Sequence, residues 1–372
     1  MIEIKEVKTR KERKQFLEFV LKLYKGNPYF APPLYGDEKK MFRSNFHYND
    51  QAEAKYFLAY RDGKVVGRIS AILQNAANEK WGQKRMRFTR FDSIDDQEVA
   101  TALFNAVENW ARERGMTEIV GPLGFSDLER EGLLIEGFDE LSTFEEQYNY
   151  SYYQGLIEGC GYGKDVDWVE HQLRLPEVKN EKLDRLAKKI LERYDLHLAQ
   201  AKNTKDFIKK YGDKFFEVLD ESYSEIYGTV PFTENMKREL IKNFNLILDL
   251  RFIRIVLDKN ERPVSFGLCF PSLTKALQKS GGKLTLPTIF RILRDVKHPK
   301  VIDCGLVGVV NEYRLKGVSS VIINEFINML ANNHIEYCET NLNLEDNYSI
   351  LNQWKEFDSV QHKRRRCFIK QL

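Results

Sequence analysis

The segment Val301–Ile323 joins an apolar run to a short turn that contains a glycine and two cations. The apolar run, Val301–Val310, predicts a buried strand, and apolar residues at helical spacing begin after Gly317. Backbone N–H groups at the start of a helix have no partner within that helix, and the helix dipole makes the same end positive. Glycine at position 317 lets a ligand approach the backbone, while Arg314 and Lys316 add positive charge. The pattern therefore predicts a binding site for a phosphate or a pyrophosphate.

The same turn resembles the pyrophosphate loop of the GNAT superfamily of acyl-CoA-dependent N-acyltransferases. That loop has the form Gln/Arg-x-x-Gly-x-Gly/Ala, and Arg314, Gly317 and Ser319 match it, with serine as the last small residue. The resemblance implies that acetyl-CoA or a longer acyl-CoA binds here as a co-substrate. The residues that would contact its pyrophosphate are Arg314, Leu315, Lys316, Gly317, Val318 and Ser319. The residues whose strand edge would pair with its pantetheine arm are Leu306, Val307, Val309 and Val310.

The helix after the next strand carries two further positions of the family pattern. Asn347 matches an asparagine that opens this helix in the family and commonly contacts the coenzyme, which implies the same contact here. The family often has a tyrosine seven residues further on as the acid for the leaving thiolate, but this sequence has Trp354. An indole cannot act as that acid, so Tyr348 is the candidate acid although its position does not fit the pattern. Glu339 and, on the preceding strand, Asp303 are candidate bases for an amine, and structural ion pairs are the alternative.

Both halves of the chain show the same order of elements: a strand, one or two helices, a hairpin, a strand, a helix, a strand, a helix and a strand. A hairpin followed by strand–helix–strand predicts a mixed sheet with helices on both faces. With the resemblance, it predicts a mixed α/β fold that is a tandem duplication of the GNAT fold, with domains at residues 1–176 and 184–372. In the first half, Gln97–Ala102 stands at the position of the loop, with alanine for the key glycine and acidic neighbours such as Asp96. Like charges repel a pyrophosphate, so we expect no coenzyme in the first domain.

A second segment of unusual composition is the glycine-rich stretch Gly121–Phe138. Four tyrosines follow it closely: Tyr148, Tyr150, Tyr152 and Tyr153. Glycine permits close approach and tyrosine supplies flat, amphipathic walls, so this segment is expected either to line a pocket or to form a packed seam between the domains. Its Glu131 and Glu136 are either candidate bases or solvated or salt-bridged carboxylates. The segment also resembles a subgroup of uncharacterised bacterial two-domain GNAT-like proteins.

Composition limits the other classes of function. The chain has 372 residues with 58 basic and 55 acidic side chains, and this balance argues against a dedicated nucleic-acid-binding protein. The basic run His362–Arg366 is short and precedes a strand expected at Cys367–Ile369, so we expect a solvated sheet edge there. The six histidines lack ligand spacing and the five cysteines form no C-x-x-C, which argues against a metal site and favours buried cysteines. The sequence shows no apolar leader and no apolar run of membrane length, so we expect a cytoplasmic protein without a membrane partner.

Three functions fit these patterns. The first is an acyl-CoA-dependent N-acyltransferase that moves an acetyl or longer acyl group to a primary amine of a small molecule or peptide. Direct attack by the amine requires no covalent enzyme intermediate, and the sequence shows no nucleophile-elbow or Cys–His signature. The second is a non-catalytic module that binds acyl-CoA or a partner protein, which the exchange of tyrosine for Trp354 favours. The third is an aminoacyl transferase that uses aminoacyl-tRNA, against which the balanced charge argues.

Overall fold

The structure is a computed structural model that describes residues 1–178 and 180–372, and the side chains of 244–247 are outside the description. Residue 179, between the two predicted domains, lies outside the described residues. The chain forms two compact units. Unit 1 comprises residues 1–169, 273–292 and 363–372, and unit 2 comprises residues 170–272 and 293–362. Two stretches from the second half of the sequence therefore belong to unit 1.

Residues 1–174 begin with a strand and a helix and continue into a hairpin. The strands are β1 (Glu3–Glu6), β2 (Ala52–Arg61), β3 (Lys64–Gln74), β4 (Arg85–Ser93), β5 (Glu118–Gly121), β6 (Leu133–Glu136) and β7 (Gly163–Arg174). The helices are α1 (Arg10–Leu23), α2 (Tyr35–Glu38), α3 (Asn75–Trp81), α4 (Gln97–Glu113) and α5 (Tyr152–Gly159). The hairpin between β2 and β3 turns at Asp62 and Gly63, both with positive φ, which confirms the hairpin that the Asp-Gly pair predicts.

The remaining residues repeat this course with additional helices. The strands are β8 (His197–Leu198), β9 (Ile253–Leu257), β10 (Pro263–Pro271), β11 (Val301–Val309), β12 (Tyr337–Thr340), β13 (Asn343–Leu344) and β14 (Asp358–Gln371). The helices are α6 (Glu181–Arg193), α7 (Thr204–Tyr223), α8 (Glu234–Ile247), α9 (Thr274–Gln278), α10 (Leu286–Lys297), α11 (Ser319–Asn332) and α12 (Tyr348–Gln353). Among the described residues, no helix has both the length and the apolar character needed to cross a membrane.

Each unit contains a sheet with one parallel pair of neighbouring strands. The strand order in unit 1 is β1-β2-β3-β4-β5-β14, and β4 and β5 are parallel. The order in unit 2 is β12-β11-β10-β9-β8, and β11 and β12 are parallel. The other pairs along both paths are antiparallel. The predicted mixed sheet is therefore confirmed in both units, and in each unit a single helix, α4 or α11, connects the two parallel strands.

Close packing of this connecting helix on the hairpin recurs in both units. A Cβ atom on Gly67 of β3 would lie 2.9 Å from the side chain of Leu103 on α4. A Cβ atom on Gly267 of β10 would lie 2.6 Å from the side chain of Phe326 on α11. Only glycine leaves room for the helix at these two equivalent places. The repeat therefore extends from the order of elements to the packing of the two apolar cores.

The C-terminal strand differs from the prediction. A solvated edge at His362–Arg366 and a short strand at Cys367–Ile369 were expected, whereas β14 runs from Asp358 to Gln371. Lys363 and Arg365 are buried, and Arg365 donates a hydrogen bond to the carbonyl of Gln147. The prediction of a solvated edge was wrong because β14 pairs with both β5 and β6 in unit 1, so alternate basic side chains point into the protein.

Candidate functional site

The two parallel strands of unit 2 separate after four residue pairs. Their register runs from Val301 opposite Tyr337 to Cys304 opposite Thr340. Beyond Cys304, β11 continues to Val309 and pairs on its other side with β10, after a register shift that leaves Gly305 as an extra residue. We call this point, where β11 and β12 diverge, the fork. The fork leaves one edge of β11 available for hydrogen bonds with a ligand.

Alternate residues of β11 direct their backbone groups to opposite edges. The N–H of Val310 donates to the carbonyl of Val264 at 3.0 Å, on the β10 side. Val307 and Val309 therefore present their N–H and carbonyl groups at the fork, while Leu306 and Val310 direct theirs to β10. Of the four residues predicted to pair with a pantetheine arm, two are thus oriented for it.

A tyrosine hydroxyl that the sequence analysis missed lies at this edge. The Oη atom of Tyr223, the last residue of α7, donates to the carbonyl of Val307 at 3.1 Å. The same Oη accepts the N–H of Val307 at 3.3 Å. The two residues are 84 positions apart in the sequence. No local spacing pattern in the sequence could have paired these two residues, because α7 is not part of the segment that forms the fork.

The loop that follows β11 has the geometry of a helix start. Asn311–Lys316 forms a short 3-10 turn, and Gly317 follows with a φ of 75°, in the left-handed region that favours glycine. The N–H groups of Ser320 and Val321 bond to carbonyl groups three residues earlier. Those of Gly317, Val318 and Ser319 precede the first hydrogen bonds of α11 and have no acceptor in that helix. This loop can therefore present several N–H groups to an anion.

The two cations predicted at this loop are present but lie beside carboxylates. Arg314 donates to the carbonyl of Ser222 at 2.9 Å, and its other terminal nitrogen lies 3.3 Å from Glu225. The Nζ of Lys316 lies 3.3 Å from Glu312 and 4.3 Å from the centre of the Tyr313 ring. The net positive charge at the loop is therefore small, and the backbone N–H groups are its main feature for an anion.

The positions of Asn347, Tyr348 and Trp354 fall on or beside α12. Asn347 caps this helix, and its side chain accepts the N–H of Ile350 at 3.4 Å. The side chain of Tyr348 is 68% exposed. Trp354 is buried, and its indole N–H donates to Asn343 at 2.7 Å. The indole therefore has a structural partner of its own, and the only hydroxyl of this group, on Tyr348, faces solvent.

A buried acid–base pair lies where the fork begins. Glu339 stands opposite Asp303 in the last register pairs before β11 and β12 diverge. Its Oε1 lies 2.5 Å from Nε2 of His362, and both side chains are about 5% exposed. Nearby, burial lowers the pKa of His171, and His362 adds to the effect, so His171 is held in the neutral form. The Glu339–His362 pair could take up a proton, and the sequence had indicated only its carboxylate.

The start of α4 in unit 1, at the position equivalent to the loop, is already capped. The Asp96 carboxylate accepts the N–H of Glu98 at 2.9 Å and that of Val99 at 3.3 Å. Arg61 lies 2.7 Å from the other oxygen of Asp96. The N–H groups that would contact a phosphate at this helix are therefore bonded to the chain itself.

The glycine-rich stretch and the tyrosines after it pack within unit 1. A Cβ atom on Gly132, which has a φ of 71°, would lie 2.8 Å from the Cβ of Arg365. The hydroxyl of Tyr153 bonds with that of Tyr24 at 2.9 Å, and Tyr24 in turn bonds with the buried Asp92 at 3.3 Å. These glycines and tyrosines serve close packing and a buried hydrogen-bond network. Of the two candidate bases here, Glu136 is exposed and lies 3.4 Å from Arg364, whereas Glu131 is buried.

The buried carboxyl of Glu131 is expected to make the stability of the protein depend on pH. Burial raises the pKa of its carboxyl well above the usual range, with Asp127 as the next cause, and its Oε1 accepts no hydrogen bond from the described residues. Between the unfolded pKa, about 4.3, and the folded pKa, the folded state binds more protons than the unfolded state, so the free energy of unfolding falls as pH rises. We expect Glu131→Gln to raise the melting temperature at pH 7 and to have little effect near pH 4. Glu136→Gln, at an exposed position, is the control; an equal gain at both pH values would contradict the prediction.

Unit 2 also contains an apolar pocket between α7, α8, β9 and β10. Its cavity volume is about 30 Å³, and its mouth opens to solvent. Its walls include Phe207, Gly212, Phe215, Phe266 and Leu268. The ring of Phe266 also contacts β11, since a Cβ atom on Gly308, the residue after Val307, would lie 2.6 Å from it. The pocket therefore shares a wall with the edge of β11.

Comparison with known proteins finds two relatives by sequence. No model of a known protein family matches the sequence. Protein YghO of Escherichia coli is 26% identical over 98% of this chain and 94% of its own length. A protein of Caulobacter vibrioides named bacterial ceramide synthase is 27% identical over 85% of this chain and 78% of its own length.

Solved structures show the fold. A tandem GNAT protein from the clavulanic acid biosynthesis pathway superposes with a TM-score of 0.57 and 12% identity, over 100% of this chain and 98% of that protein. A GCN5-related glucosamine N-acetyltransferase region of a fungal multidomain protein gives a TM-score of 0.60 with 12% identity, over 100% of this chain and 38% of that protein. The chain therefore has the tandem GNAT fold, as the sequence predicts.

Proposed function

We propose that the protein is an acyl-CoA-dependent N-acyltransferase whose donor site lies in unit 2. The fork carries this proposal: the strand edge at Val307 and Val309, which lies beyond the pairing with β12, leads directly into a loop of N–H groups around Gly317. An extended pantetheine arm can pair with such an edge, and a pyrophosphate can bind at such a helix start. Asn347, on α12, is proposed as a further contact of the coenzyme. Unit 1 is proposed to hold no coenzyme, because Asp96 already bonds to the N–H groups at the start of α4.

The chemistry needs a polarised carbonyl and an acceptor for a proton. The N–H of Val307 would bond to the thioester oxygen, so that negative charge developing there is stabilised. The amine nitrogen attacks the carbonyl carbon, the C–S bond breaks, and coenzyme A leaves as a thiolate. The proton of the amine would pass to the Glu339–His362 pair at the fork. Holding the amine and the thioester together supplies much of the remaining rate.

A long acyl chain is the donor that the pocket favours. The aromatic and aliphatic walls of the pocket suit an alkyl chain, and Phe266 joins them to the strand on which the thioester would lie. The name of the Caulobacter relative supports the same class, because a ceramide is the amide of a fatty acid with a long-chain amino alcohol. We therefore propose a fatty acyl-CoA as donor and a primary amine on a lipid-like molecule as acceptor.

Binding and turnover test this function on the full chain. Calorimetry with acetyl-CoA and palmitoyl-CoA, below the concentration at which the latter forms micelles, is expected to give micromolar dissociation constants, lower for palmitoyl-CoA. Mass spectrometry should then detect an amide when palmitoyl-CoA is incubated with sphinganine, and less with ethanolamine. Absence of binding by either donor would refute the proposal.

Filling the pocket should change the choice of donor. Gly212 lies on α7 at the pocket wall, and leucine there would occupy space that an alkyl chain needs. Excluding about 60 Å² of chain costs about 1.5 kcal/mol, so we expect Gly212→Leu to weaken palmitoyl-CoA about tenfold and to leave acetyl-CoA within twofold. Gly155→Leu, at an exposed helical position with no neighbour, is the matched control. Equal weakening of both donors would place the alkyl chain elsewhere.

A non-catalytic acyl-CoA-binding module is the second candidate. It is favoured by Trp354, which replaces the family's acid, is buried and bonds to Asn343. Tyr348 at the start of α12 is exposed, which also leaves that helix without an acid at the fork. Donor binding without any amide product, across lipid and small-molecule amines, would select this function.

A further inference from the structure

We infer that Tyr223 donates the proton that the leaving thiolate of coenzyme A takes up. This inference rests on the proposed function, because it concerns the same donor site. It assigns the role to a residue at the end of α7, outside every motif that the sequence analysis used.

The position of the hydroxyl carries the inference. Oη of Tyr223 lies within hydrogen-bond distance of both backbone groups that Val307 presents at the fork, 3.3 Å from the nitrogen and 3.1 Å from the oxygen. A thioester that takes the N–H of Val307 would displace this hydroxyl from that N–H. The O–H group would then remain next to the strand edge on which the reacting carbonyl and its sulfur lie, as proton transfer to sulfur needs.

Neighbouring contacts hold α7 at this place. Arg314 of the loop donates to the carbonyl of Ser222, the residue before Tyr223. Glu221, on the same turn of α7, accepts the N–H of Asn311 at 3.0 Å. The end of α7 is therefore tied at two points to the 3-10 turn that follows β11.

The other candidate acids lack such a position. The indole N–H of Trp354 is engaged with Asn343, and an indole does not give up its proton at neutral pH. Tyr348 is 68% exposed. The hydroxyl of Ser265 donates to the carbonyl of Gly308, on the β10 side of β11. Among these groups, the Tyr223 hydroxyl alone bonds to the edge of β11 at which the fork opens.

The proposed step balances as follows. The amine nitrogen forms a bond with the carbonyl carbon, and the carbonyl electron pair moves to oxygen, against the N–H of Val307. The electron pair on oxygen then re-forms the carbonyl, the C–S bond breaks, and the electrons of that bond go to sulfur. Sulfur takes the proton of Tyr223, and water reprotonates the tyrosinate. The proton lost by the amine nitrogen goes to the Glu339–His362 pair.

Removal of the Tyr223 hydroxyl tests the proposed proton transfer to sulfur. Tyr223→Phe should lower kcat about 100-fold with palmitoyl-CoA and an amine, because a positioned acid supplies a factor of that order. The dissociation constant of palmitoyl-CoA should stay within threefold. Tyr211→Phe is the matched control, since its hydroxyl on the same helix bonds to the carbonyl of Gln200 at 3.3 Å, away from the fork.

The outcomes separate this inference from the proposed function. Equal kcat in the wild type and Tyr223→Phe would overturn the inference and leave the transferase intact. A higher dissociation constant with unchanged kcat would also overturn the inference, since Tyr223 would then only stabilise β11. A wild-type protein that binds palmitoyl-CoA without turnover would refute both. A melting temperature equal to that of Tyr211→Phe shows that the loss is not one of folding.

Discussion

Replacement of Gly317 by glutamate is expected to weaken acyl-CoA binding at least 100-fold. Gly317 has a φ of 75°, which costs a residue with a Cβ roughly 1 kcal/mol, and that Cβ would lie 3.1 Å from Ile190. The new carboxylate would stand in front of the N–H groups that begin α11 and would repel the pyrophosphate. The strain lowers stability, whereas the blocked N–H groups and the charge repulsion lower the affinity, by the roughly 2.7 kcal/mol to which a 100-fold change corresponds. Calorimetry with palmitoyl-CoA measures it directly.

A matched glycine separates strain from loss of the site. Gly63, in the hairpin turn of unit 1, has a φ of 72° and no neighbour within 4 Å of an added Cβ. Gly63→Glu introduces the same charge and similar backbone strain, so it should lower stability by a similar amount and leave binding unchanged. Gly317→Ala, which adds no charge, should bind with intermediate affinity. Wild-type affinity in Gly317→Glu would mean that the donor does not bind at this loop.

The loop was predictable because its signal is local. Gly317 follows an apolar strand and opens an apolar-periodic helix, and both lie within one short segment. The hairpin at Asp62 and Gly63 was predictable for the same reason. The partners of the site were not: Tyr223 reaches Val307, and His362 reaches Glu339, through strand and helix placements set by the whole fold. Such contacts between distant segments cannot be predicted from spacing in the sequence.

Burial of charge was the hardest property to predict from the sequence. The run His362–Arg366 has the composition of a solvated edge, yet Lys363 and Arg365 are buried. Their burial depends on the pairing of β14 with strands that come more than 200 residues earlier, such as β5. An edge strand and a central strand of the same composition differ only in their neighbours. For the same reason, the sequence indicated Glu339 as a candidate base but did not indicate His362 as its partner.

The Glu339–His362 pair should respond differently to single and double replacement. Glu339→Leu leaves a buried imidazole without its partner, and His362→Leu leaves a buried carboxylate. Each single change is therefore expected to lower the free energy of unfolding by about 3–5 kcal/mol, whereas the double variant should recover most of that loss. Chemical denaturation of the four proteins measures this cycle, and additive losses would show that the two side chains are not coupled.

Activity of the double variant decides whether the pair is a base or only a structural ion pair. Stability returns when both polar groups are removed, but the acceptor for the proton of the amine does not. If the pair is the base at the fork, the folded double variant should bind palmitoyl-CoA like the wild type and turn over about 100-fold more slowly. If the pair only stabilises unit 2, kcat should return with stability. Because Glu339 lies opposite Asp303 immediately before β11 and β12 diverge, we expect the first result.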